Sequence, residues 1–145
     1  MAPYLITKFA LSTAMLVLCV GIHGFGLFSL SRAMRAEAMV ERLKHVTPLS
    51  ARGAIFTFAI VLTLIAVHGL EIWAYALLYM AIGALTGLEE ALYYSTISYS
   101  TVGYHDEMMP DSWKLLGAFE SVAGMILLGW STAFFFRMLG RIDAN

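Results

Sequence analysis

The chain reads as an all-α integral membrane protein, with three membrane-crossing helices and a shorter helix that enters the bilayer between the second and third without crossing it. Three observations predict this. Of 145 residues, 60% are hydrophobic and only 13% charged, and the mean hydropathy is +0.77, which lies outside the soluble globular range. Charge withdraws from three long runs, each sufficient to cross a hydrocarbon core about 30 Å thick at about 1.5 Å per residue. Between the last two runs, a helix-start signal opens a segment too short to cross. The net charge of −1 and the lack of a basic cluster with aromatics give no reason to expect nucleic acid as a partner. A lone Cys19 offers neither a disulfide nor a thiolate metal site within one chain. No cofactor motif is readable, and no enzymatic activity is expected.

The first helix is predicted over Phe9–Ser31, because no charged residue separates Lys8 from Arg32. A signal peptide would need a shorter apolar run with basic charge ahead of it; here the basic charge follows. In residues 32–53, Ala36, Met39, Val40 and Leu43 recur at helical spacing while charges take the other face. This predicts an amphipathic helix along the membrane surface. It reads either as a gating element or, preferably, as a helical extension carrying the topology signal, and amphipathicity does not separate the two. Thr47-Pro48-Leu49-Ser50 breaks it.

From Gly53 to Leu88 the only formal charge is Glu71. At about 36 residues the run exceeds one crossing, so it must turn back or lie partly in the interface. Trp73, Tyr75 and Tyr79 have rings suited to the headgroup level and mark the helix exit there. His68 and Glu71, three apart, share a face and can pair. Pairing or interfacial solvation is favoured over a role in permeation or proton transfer, because Glu71 lies next to that aromatic belt. Thr86-Gly87-Leu88-Glu89 has the form of a capping box. The helix it opens, Gly87 to Ser98, is about 18 Å long and can only dip in and stop.

The last long helix is predicted from Trp113 to Arg137, with Asp111 or Ser112 as its cap. Gly117, Gly124 and Gly129 make its apolar face thin enough for close packing. Glu120, about two turns inside, needs a partner. It either braces the neighbouring short helix or is a protonated carboxyl bonded to a nearby hydroxyl.

The short helix leads into Ser98-Tyr99-Ser100-Thr101-Val102-Gly103-Tyr104-His105-Asp106, a hydroxyl-rich stretch between apolar blocks. Thr101-Val102-Gly103-Tyr104 resembles the selectivity filter of potassium channels, usually T-V-G-Y-G-D, with His105 in place of the second glycine. The resemblance extends over residues 54–137. It implies a pore module of helix, pore helix, filter loop and helix, in which backbone carbonyls of Thr101, Val102, Gly103, Tyr104 and His105 replace the hydration shell of K+. It further implies that Tyr93 and Tyr94 brace the filter, that Asp106 is the carboxylate at its outer mouth, and that Gly124 lies near a hinge glycine. Glu120 would support the filter from the neighbouring helix, since the pore-helix position that carries a carboxyl in some channels is Ile97 here. The chain then divides into an N-terminal helix (1–31), a cytoplasmic linker (32–53), the pore module (54–137) and a tail (138–145).

One filter copy per chain implies a homotetramer in the lipid bilayer, with K+ as the permeant ion and no other metal or cofactor. Arg32, Arg35, Arg42, Lys44 and Arg52 follow the first helix, and Arg137 and Arg141 follow the third. By the positive-inside rule these regions are cytoplasmic and the N-terminus is outside, in a membrane expected to be a bacterial inner membrane. Glu89, Glu90, Asp106, Glu107 and Asp111 then surround the outer mouth and concentrate cations. No ligand-binding domain is expected after Asn145, and the first helix lacks the spaced arginines of a voltage sensor. Two alternatives accompany the channel reading. One is a non-conducting or weakly selective subunit, because His105 alters the filter. The other is a small b-type haem protein using His23 and His68, against which axial arithmetic from the expected helix ends sets a mismatch of about 9 Å.

Overall fold

The computed structural model describes residues 2–36, 50–103 and 106–143, and they form four α-helices and a single 3-10 turn. Three of the helices are long and apolar enough to cross a membrane. Helix α1 spans Ala2–Met34, α2 spans Ala51–Ala81, the short α3 spans Leu88–Tyr99 and α4 spans Lys114–Asp143. The turn is Asp106–Met108. Helix α1 extends beyond both predicted ends, and α4 continues through most of the expected tail. Most of the predicted surface helix, with its Thr47-Pro48 break, falls outside the described residues, as do Tyr104 and His105.

Each boundary has a local cause. Ser50 caps α2, its Oγ accepting the Gly53 N–H at 3.1 Å. At the other end Gly83 takes φ +69°, the Ala84 N–H reaches the Tyr79 carbonyl at 2.9 Å, and the Gly83 N–H reaches Met80 at 3.1 Å. This is a Schellman stop with glycine in the left-handed position. The short helix does not begin with the expected capping box. Its N-cap is Gly87, in extended conformation with no side-chain cap bond. The chain enters one residue later than Thr86 would allow, and Glu89 and Glu90 are left to face the positive helix end.

Helix α1 packs against both α2 and α4, and α3 is held between α2 and α4. The register of α1 on α2 follows from bare backbone: a Cβ on Gly26 would come within 2.6 Å of a Val67 methyl. Two apolar clusters result. One gathers Tyr75, Tyr79, Ala91, Tyr94, Tyr99 and Leu116 around the short helix; the other gathers Leu27, Ile60, Leu64 and Met138 near the opposite end. The aromatic-belt reading of α2 needs correction, because Tyr75 and Tyr79 are fully buried while Trp73 alone of the three is exposed. The tyrosines face inward because they form the floor under α3, with Tyr79 edge-on to Tyr94 at 5.5 Å between ring centres.

Candidate functional site

The end of α3 determines what the stretch after it can do. Ser100 is the C-cap, and the Thr101 N–H bonds the Ser98 carbonyl at 2.9 Å. The Val102 and Gly103 N–H groups both turn back to the Ile97 carbonyl, at 2.9 and 3.0 Å. Thr101 has φ 63° and Gly103 φ 58°. This is again a Schellman-type stop, but with a β-branched threonine in the position glycine prefers. A positive φ at such a residue costs about 1–3 kcal/mol and persists only where the surroundings impose it.

The peptide bonds are trans, so each carbonyl points opposite to the N–H of the following residue. Three successive N–H groups are spent on the helix end. The carbonyls of Ser100, Thr101 and Val102 are therefore turned together away from it. In an extended strand they would alternate. Thr101, Val102 and Gly103 are all exposed in the single chain, Val102 by 56%.

Behind this segment, α3 is fastened to both long neighbours. Glu120, fully buried on α4, accepts from Tyr79 of α2 at 2.6 Å and is bonded to Ser95 of α3. Ser95 also reaches the Ile72 carbonyl at 2.9 Å. A single hydroxyl hydrogen cannot serve both oxygens at once; a proton on the Glu120 carboxyl would supply a second. Further along, Ser98 donates to the Gly117 carbonyl at 2.8 Å, and Ser121 donates to the Ser98 carbonyl at 2.9 Å. Gly117 and Gly124 make this approach feasible. A Cβ at Gly117 would strike the Tyr94 hydroxyl, and one at Gly124 would fall on the Tyr99 carbonyl oxygen. Gly129 meets nothing within 4 Å.

Tyr93 and Tyr94 part company: Tyr94 is buried against Tyr79, whereas Tyr93 is 38% exposed on the other side of α3. Asp106 and Asp111 both pair with the Lys114 ammonium at 3.0 Å. Lys114 is absent from the sequence reading, and the acidic rim is thereby partly neutralised. A cavity of about 170 Å³ separates the segment from α4, lined by Ile97, Ser98, Gly103, Lys114 and Ser121 among others.

Glu71 does not reach the interface. It is fully buried, 3.0 Å from His23 Nδ1 and 3.3 Å from His68 Nδ1, and accepts from the Tyr99 hydroxyl. The axial arithmetic that separated His23 from His68 is also overturned, since the two rings lie 5.1 Å apart, centre to centre. The arithmetic assumed coplanar helix ends, whereas the register set by Gly26 on Val67 brings the imidazoles to one level. Rings in direct contact and turned to a shared carboxylate leave no gap for a porphyrin between them.

A protein-family model described as an ion channel matches residues 67–141, slightly more than half of the chain. It begins next to His68 and includes α3, the segment after it and nearly all of α4. Comparison with curated proteins and with solved structures gives no match.

Proposed function

From the premise that this chain belongs to the ion channel family, we propose that it is one subunit of a homotetrameric potassium channel. Thr101, Val102, Gly103, Tyr104 and His105 line its ion path. The observation that carries the reading is the common direction of the Ser100, Thr101 and Val102 carbonyls, away from the helix that anchors them. Carbonyls on one side of one chain make a quarter of a ring; four chains around an axis make rings that can replace the water around a cation. The negative end of the α3 dipole favours a cation at the same place. Exposure of Thr101 to Gly103 in the single chain supports the same assembly, because neighbouring copies would enclose it.

Glu120, Tyr94, Ser98 and Ser121 hold the filter from behind, and Gly124 is the point at which α4 can pivot on the end of α3. Asp106 is an outer-mouth carboxylate whose field Lys114 moderates. Basic residues after α1 and at the end of α4 support a cytoplasmic position for both, in a bacterial plasma membrane with the N-terminus outside. A second reading, a weakly selective or non-conducting subunit, is favoured by His105, which stands where the filter pattern has glycine.

Reconstitution into liposomes with opposed K+ and Na+ gradients tests the reading, together with mass measurement in detergent. The expected result is a four-chain particle that passes K+ faster than Na+. A stable dimer that still conducts would overturn the tetramer. A tetramer that passes neither ion would leave the second reading in its place.

A further inference from the structure

All four helices converge on one buried ring of polar atoms. His23 of α1 places Nδ1 3.0 Å from Glu71 Oε1 and Nε2 3.3 Å from Ser131 Oγ. That same Oγ is 2.9 Å from His68 Nε2, and His68 Nδ1 is 2.8 Å from Tyr99 Oη. Tyr99 closes the circuit by donating to Glu71 Oε2. His23 and Glu71 are fully buried, and the His68 side chain is 14% exposed.

The hydrogens in this ring can be counted. A neutral imidazole carries one N–H, serine and tyrosine one O–H each, and a carboxylate none. The five contacts around the circuit, and the 3.3 Å approach of His68 Nδ1 to Glu71 across it, are thus served by four hydrogens. Wherever these are placed, one contact sets two lone pairs face to face, which is costly in a medium that cannot screen it. The ring lacks one positive centre.

The orientation of the two rings indicates where that centre belongs. Both turn Nδ1 to Glu71 and Nε2 to Ser131. One donor atom from each of His23, His68 and Glu71 lies within 4.8 Å of the others, the one such trio among the described residues. We propose that these three side chains bind a divalent first-row transition metal of the zinc type. Two imidazoles and one carboxylate are a donor set such cations take, at about 2.0–2.2 Å per bond, so donors about 3.4 Å apart suffice and a small contraction completes the site.

A metal on the two Nδ1 atoms also resolves the hydrogen count. Each Nε2 then carries a hydrogen and donates to Ser131 Oγ, whose two lone pairs accept both. Tyr99 keeps its bond to Glu71 and gives up its contact with His68 Nδ1, whose lone pair the metal takes. Ser131 and Tyr99 become the groups that orient the ligands. His68, the exposed member, gives the ion its way in. Occupancy would tie α1 to α2 and, through Tyr99, to the last turn of α3, two residues ahead of Thr101.

Co2+ is a suitable probe, because its visible bands report nitrogen and oxygen ligation. The full chain is purified in detergent, stripped with a chelator and titrated. Wild type is expected to bind one Co2+ per chain, displaceable by Zn2+. His23→Ala and Glu71→Ala should weaken binding about 100-fold or more, and Ser131→Ala, which removes no ligand, about 10–100-fold. Elution volume on gel filtration identifies variants that fail to assemble, and Ser131→Ala keeps every ligand if they do. A stripped wild type that takes up neither Co2+ nor Zn2+ overturns the proposal and assigns the missing centre to a proton. A Co2+ spectrum that is the same in wild type and an assembled His23→Ala protein also overturns it.

Discussion

Replacing Glu120 distinguishes a carboxyl that braces α3 by its charge from one that does so by geometry. Glu120→Gln supplies an amide NH2 to donate to Ser95 and a carbonyl to accept from Tyr79, the arrangement of a protonated carboxyl. Ser95 can then keep the Ile72 carbonyl at 2.9 Å. The expected cost of this change is under about 1 kcal/mol. Glu120→Ala orphans the buried Tyr79 hydroxyl, worth about 1–3 kcal/mol, while Ser95 is spared by Ile72. The space vacated by the carboxyl adds to that, for a total of about 2–5 kcal/mol. The assay is the SDS midpoint for loss of the assembled particle, run as a double-mutant cycle with Tyr79→Phe. In the Tyr79→Phe background the alanine should cost about 1–2 kcal/mol less, because no hydroxyl remains to be orphaned. If Gln is as damaging as Ala, the carboxyl must accept from both hydroxyls as an anion, and the hydrogen count drawn for Glu120 is wrong.

Three further outcomes are expected. Lys114→Ala leaves Asp106 and Asp111 uncompensated at the mouth; cation flux should rise about two- to tenfold at low ionic strength and converge with wild type near 1 M salt, where screening is complete within about 3 Å. Gly124→Ala drives a methyl onto the Tyr99 carbonyl oxygen and should lower the SDS midpoint by the equivalent of about 1–3 kcal/mol, while Gly129→Ala, with open space around it, leaves the midpoint unchanged. His105→Gly should raise K+ over Na+ selectivity and flatten the dependence of flux on external pH between about 5.5 and 8, where imidazole titrates; equal selectivity and equal pH response in both proteins would make the histidine a passenger.

What could be read in the sequence was what local chemistry dictates. Charge-poor runs marked the three spans, the length of the predicted Gly87–Ser98 helix forbade a fourth, and the Thr101–Tyr104 pattern singled out the stretch whose first three residues the end of α3 now holds. The His68–Glu71 pair was legible because three-residue spacing alone places both on one face. Long-range partners were not legible. His23 joins Glu71 across 48 residues and Ser131 across 108, and no periodicity encodes which faces of α1, α2 and α4 meet. Lys114 drew no role from the sequence, because its pairing with Asp106 depends on how the intervening turn folds back. Tyr75 and Tyr79 were misread as interfacial because the rule for aromatic girdles considers one helix and lipid, whereas here a short helix lies over them. Thr101 has no sequence signal for φ 63°; threonine argues against it, and only the three bonds back to Ile97 and Ser98 impose it.

The burial of His23 has a consequence for how the chain is made. Helix α1 leaves the ribosome ahead of α2 and α4, yet its imidazole is satisfied by Glu71 and Ser131, which are synthesised 48 and 108 residues later. Until α2 has entered the bilayer, α1 carries a polar ring with no partner in hydrocarbon, and until α4 follows, its Nε2 still lacks Ser131; both penalties disfavour lone, stable residence there. Docking of α1 is therefore completed only when α4 arrives, and a chain truncated before Ser131 would leave His23 Nε2 unsatisfied. Such an intermediate is the kind of substrate that membrane quality-control proteases and insertion chaperones can distinguish from a finished subunit.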